Sequence, residues 1–116
     1  MSATNSLIDW EQLEAMADGW PEDFVEIYHE FLKEIPADLA RLGAAVASAD
    51  CSEASALAHR IKGSAANFGF VGVQNAALDL EVLAKQGTLQ GASLILGGAQ
   101  QAFAAGVEEV KARVGH

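Results

Sequence analysis

The chain has 116 residues, 51% hydrophobic and 20% charged, the balance of a folded domain with one hydrophobic core and no room for a second. Its 16 acidic against 7 basic side chains give a formal charge of -9, a surface that repels nucleic-acid phosphates and anionic lipid headgroups. Cys51 is the single cysteine and allows no internal disulfide, no stretch reads as a secretory signal or a membrane span, and a cytoplasmic protein is expected.

Apolar residues recur at intervals of three and four, and no strand alternation is visible. A short first helix is predicted from about Asp9 to Ala17, with Ile8, Trp10, Leu13 and Met16 on one side, before Asp18-Gly19 breaks it. Residues 1–19 then form a cap segment on a helical bundle spanning 20–114. Pro21 suits the first turn of a long second helix, with Glu22 and Asp23 where negative charge complements the helix dipole. Its apolar row is Phe24, Ile27, Phe31, Ile35, Leu39, Leu42 and Val46, and Pro36 is expected to bend it without ending it.

Asp50 stands three residues before Glu53, the spacing of a capping box, and opens a third helix that runs to about Asn67. Gly69 and Gly72 flank the next boundary, with Gly69 ending the third helix in a left-handed cap. Val73, Ala76, Ala77, Leu80, Leu83 and Ala84 mark a fourth helix ending at Gly87. In the last segment Leu96, Ala99, Phe103, Val107, Val110 and Val114 keep helical spacing despite Gly97, Gly98 and Gly106, so packing rather than propensity must hold it. Four amphipathic helices with short connections bury their stripes against one another, which predicts an all-α antiparallel four-helix bundle with a short additional N-terminal helix.

On a wheel of ~100° per residue, Ala54, Leu57, Ile61 and Phe68 form the core side of the third helix and His59 falls opposite them. The residues around His59 are Ser52, Ser55, Ala56, Lys62, Gly63 and Ala66, all small except the lysine. A lone histidine on a helix is by default a solvated polar residue, and Lys62 by default a surface charge. Gly63, however, costs ~1 kcal/mol relative to alanine in a helix interior, and close approach by another macromolecule is a reason for it. A neutral imidazole is already a nucleophile, and an ammonium one turn away can neutralise part of the charge of an anionic group attached to it. Cys51, His29 and His116 have no companions that suggest a site, and no spacing suggests a metal ligand set.

The run Ala58-His59-Arg60-Ile61-Lys62-Gly63-Ser64-Ala65-Ala66-Asn67-Phe68-Gly69 resembles the signature of histidine-containing phosphotransfer (HPt) domains: histidine, lysine three on, glycine four on, a small residue five on and glycine ten on. Phe31-Leu32-Lys33-Glu34-Ile35-Pro36 is similar to the family's proline-containing stretch, and the resemblance covers roughly Phe24 to Gln86. It implies that His59 is the phosphoacceptor, that Lys62 assists the phosphoryl group, and that Gly63 lets a receiver domain sit close. Ser55, Ala56 and Ala66 complete the expected docking face, and Ser64, Gly69 and Glu81 are expected to support it.

Glu81 stands where several members place a glutamine that bonds to the histidine ring, and whether its carboxylate orients the imidazole or points into solvent is open at this level. The resemblance implies a monomeric phosphorelay intermediate that exchanges phosphoryl groups with response-regulator receiver domains, or with a hybrid sensor kinase, each receiver bringing Mg²⁺. No cofactor is expected on this chain. No Gly-rich phosphate loop precedes a helix, so ATP-dependent kinase activity is not expected either. The alternative is a helical adaptor that binds receiver domains through the same face without carrying phosphate.

Overall fold

The computed structural model describes residues 7–116, so the first six residues of the expected cap segment lie outside it. Five helices follow in order: α1 (Trp10–Ala17), α2 (Glu22–Ala47), α3 (Cys51–Asn67), α4 (Val71–Lys85) and α5 (Ala92–Val114), with no strand among the described residues. Helix α2 packs on α3 and α5, and α4 packs on α3 and α5, which closes a ring of four. The connections within that ring are short, so successive helices run antiparallel, as expected from the spacing of apolar residues.

Local chemistry accounts for the boundaries. Asp9 caps α1 by accepting the Gln12 N–H, and Asp18 and Gly19 both take left-handed conformations that end it. Pro21 lies one residue before α2 instead of in its first turn, its carbonyl accepting the Val25 N–H. Pro36 sits inside α2 on the solvent side without interrupting it. Asp50 caps α3 through the Glu53 N–H at 3.0 Å, yet the reciprocal half of the capping box is absent. The Asp50 N–H bonds to the Ala45 carbonyl, and the Glu53 carboxylate turns to Arg41 at 3.5 Å.

Two of the expected inward faces need correction. Ile27 is 56% exposed, and the inward row of α2 runs instead through Tyr28, Phe31, Ile35, Leu39 and Leu42. Met16 is half-exposed, with Ala17 taking the inward place on α1. Gly69 and Gly72 do flank the start of α4 at Val71, and α5, for which only the apolar row from Leu96 was marked, starts at Ala92.

The core is rich in aromatic rings at one end: Phe31 stacks on Phe68 at 4.4 Å between centroids and meets Phe70 edge-on at 4.9 Å, while Trp20 meets Tyr28 edge-on at 5.4 Å. Gly106 is the reason α5 can lie against this cluster, because a Cβ there would stand 2.8 Å from the Phe70 ring. Its cost in helix propensity is thus offset by packing. The Tyr28 hydroxyl is buried without a partner among the described residues, and burial pushes the phenol well above its ordinary range.

Helix α1 is fastened across the end of the bundle. Asp9 donates its N–H to the Gly69 carbonyl at 2.7 Å, Gln12 Nε2 donates to the Ala66 carbonyl at 2.5 Å, and Trp10 Nε1 donates to Glu109 at 2.6 Å under the Arg113 guanidinium. Gly69 has φ +70° directly after α3, the left-handed cap expected there, and a Cβ would collide with the Asp9 carbonyl at 2.8 Å. One glycine therefore both ends α3 and admits α1.

Candidate functional site

Helix α3 presents its inward face as Ala54, Leu57, Ala58, Ile61 and Ala65, all buried, which turns His59 outward. The His59 side chain is 70% exposed. Around it, Ala56 and Gly63 are exposed, and Ser55, Lys62, Ser64 and Ala66 are half-buried. A Cβ on Gly63 would have nothing within 4 Å, so the fold itself does not need glycine there. Ser64, next to Gly63 on α3, is half-buried. Ala66 lies at the end of the face that α1 closes, its carbonyl taken by Gln12.

The neighbouring helix supplies the partner for the ring. Glu81 lies on the inner side of α4, with 4% of its surface exposed, and its carboxylate binds three donors. His59 Nδ1 is 2.9 Å from Oε2, Lys62 Nζ is 2.6 Å from Oε1, and Lys85 Nζ is 3.2 Å from Oε2. The hydrogen bond from Lys62 is the largest influence on the acid and burial opposes it; with Lys85 and His59 added, the carboxyl is pulled from its ordinary 4.5 down to about 2.

An ionised carboxylate can only accept hydrogen bonds, so the contact requires the proton to sit on Nδ1 of His59. In the neutral ring the other nitrogen, Nε2, then carries the lone pair, and it is the nitrogen left free of Glu81. Glu81 thus contacts the imidazole, which answers the question that the residue type alone left open. Lys62, by contrast, is not a free surface charge: only 28% of its side chain is exposed and its ammonium is engaged by Glu81.

Two participants were not singled out in the sequence. Lys85 stands one turn beyond Glu81, a Glu-to-Lys spacing of four that is itself a readable ion-pair signal. Asp38 is 4% exposed within the inward row of α2, and its carboxylate meets Arg60 Nε at 3.1 Å. That pair joins α2 to the residue following His59. A carboxylate among Ile35, Leu39 and Leu42 is the signal that marks it.

The remaining histidines lie together elsewhere: His116 stacks on Trp20 at 5.3 Å and is 6.4 Å from His29. Cys51 is a half-buried first residue of α3. Among the described residues, no three His, Cys, Asp or Glu side chains gather as a metal site, and no helix is long and apolar enough to cross a membrane.

The site therefore offers an exposed nucleophilic nitrogen with its proton held on the far side of the ring, an ammonium beside it, and an open surface at Gly63. A family model described as the Hpt domain matches residues 26–113, most of the chain. Comparison with curated proteins gave no match, and comparison with solved structures gave none.

Proposed function

From the premise that this chain belongs to the Hpt domain family, whose members act as phosphotransfer intermediates in phosphorelays and interact with receiver domains, we propose that His59 carries the phosphoryl group between two receiver domains. The observation that carries this reading is the bond from His59 Nδ1 to the buried Glu81 carboxylate, which leaves Nε2 as the nucleophile on an open face.

In the forward step, the Nε2 lone pair attacks the phosphorus of a receiver's aspartyl phosphate. The N–P bond forms as the P–O bond to the aspartate breaks, and the electron pair of that bond leaves on the receiver's carboxylate. Nδ1 keeps its proton throughout, so the ring becomes a phosphorylated imidazolium whose positive charge lies against Glu81. The reverse step onto a second receiver retraces the same path. A Mg²⁺ held by the receiver would neutralise charge on the transferring group, and Lys62 would add charge from this side. Ala56 and Gly63 leave room for a receiver to approach, with Ser55 and Ala66 at the margins.

The test is incubation with a phosphorylated receiver domain and Mg²⁺. Acid-labile, base-stable label is expected on the wild-type chain and none on His59→Gln. Label retained by the variant refutes the assignment of the acceptor. A receiver that binds the wild-type chain without labelling it points to the adaptor instead.

A further inference from the structure

In the resting site the Lys62 ammonium is committed to Glu81 Oε1 at 2.6 Å, although the proposed chemistry asks it to serve the phosphoryl group. A dianionic phosphoryl group on Nε2 competes for that ammonium against a carboxylate already shared by three donors. If Lys62 turns to it, Glu81 loses its shortest contact while 4% exposed, and a carboxylate so placed is costly to leave under-bonded. The cation that remains is Lys85, on α4 itself and on the oxygen that also receives His59 Nδ1.

A pair spaced i,i+4 with an exposed lysine is ordinarily a minor helix-surface contact. Here the lysine is 65% exposed but its partner is 5% exposed and is the same group that fixes the imidazole. The Arg60 guanidinium, the other cation beside His59 in sequence, is engaged by Asp38 of α2. With both lysines present, the cluster of Glu81, Lys62, Lys85 and neutral His59 has one net positive charge. Adding the phosphoryl group brings it to neutrality, whereas without Lys85 it would become negative.

Resting on the phosphocarrier reading for its role in the relay, we propose that Lys85 is a positioning residue that retains Glu81 against His59 Nδ1 when Lys62 is drawn away to the phosphoryl group. Part of the proposal stands without phosphate: removing Lys62 by substitution imitates its departure.

The readout is exchange with water of the His59 Nδ1 proton, followed by ¹H–¹⁵N NMR on the full chain. In Lys62→Met and in Lys85→Met the proton stays protected, because one lysine still holds Glu81. In Lys62→Met/Lys85→Met, exchange is at least tenfold faster, and arginine in place of Lys85 in the Lys62→Met background restores protection. Protection persisting in the double methionine variant overturns the proposal, and helical circular dichroism separates a folded result from an unfolded one.

The same measurement after phosphorylation with phosphoramidate, a small donor that needs no docking face, is expected to give a protected proton in wild type and fast exchange in Lys85→Met alone. Protection in phosphorylated Lys85→Met sinks the exchange of partners. Wild type that takes no phosphoryl group on His59 from either phosphoramidate or a phosphorylated receiver sinks the carrier reading and the exchange with it, while the double-variant result still reports on the hold of Lys85 over Glu81.

Discussion

Replacing Glu81 by glutamine keeps a hydrogen-bond acceptor near the His59 ring and removes the charge, so its effect on stability must depend on pH in a defined way. The folded carboxyl is held at about 2 against an ordinary 4.5, by Lys62 above all and against the opposition of burial. A lowered folded value means that the unfolded chain binds the proton more readily, so the contribution is fully present above 4.5 and lost as pH falls toward 2. The gap of 4.5 minus 2 units corresponds to about 3 kcal/mol at neutral pH, of which about 2 kcal/mol is gone by pH 3. That is a large share of the ~5–15 kcal/mol that holds a small domain together.

Urea unfolding of wild type and Glu81→Gln at pH 7, 4 and 3, followed by circular dichroism, measures it. The other carboxylates titrate in both proteins and drop out of the difference. Wild type is expected to be the more stable at pH 7, with the gap narrowing by about 2 kcal/mol at pH 3. Curves that run parallel from pH 7 to pH 3 would show that the buried carboxylate is not held by its three donors, and the assignment of the Nδ1 proton would fall with it.

Gly63→Ala meets nothing within 4 Å, so it is expected to raise stability in urea by roughly 0.5–1 kcal/mol, whereas Gly63→Gln, with the same helical spectrum, slows transfer from a phosphorylated receiver by about tenfold or more. Arg60→Ala strands the 6% exposed side chain of Asp38 and is expected to cost about 1–3 kcal/mol, with Arg60→Ala/Asp38→Leu recovering most of it. Tyr28→Phe removes a buried hydroxyl that has no partner, and thermal unfolding should show a gain of about 1 kcal/mol and not the loss usual for a core substitution.

The helices were legible because each carries a continuous apolar row and a boundary with specific chemistry, such as Asp50 before α3 and Gly69 after it. His59 and the small residues near it were legible for the same reason, since a wheel fixes which side chains share a face. What the wheel cannot give is the approach of a second helix. Ile27 and Tyr28 are adjacent apolar residues, and only the aromatic cluster of Trp20, Phe31, Phe68 and Phe70 decides that Tyr28 turns inward. Likewise the reach of Glu81 to His59, and the pairing of Asp38 with Arg60, span two helices each and depend on their register. Lys85 was missed although its spacing from Glu81 was visible, because the pair matters only once Glu81 is known to be buried.

His59, Lys62, Glu81 and Lys85 all belong to one helical hairpin, joined by the short turn of residues 68–70. The chemistry is therefore modular within the bundle: α2 and α5 act as a bed that keeps two rods in register, and α1 as a brace at their bend. Transplanting residues 51–85 onto another pair of helices with a matching apolar groove should carry the whole constellation across intact. By the same token, sliding α3 past α4 by a single ~5.4 Å turn would dismantle it while leaving every helix whole.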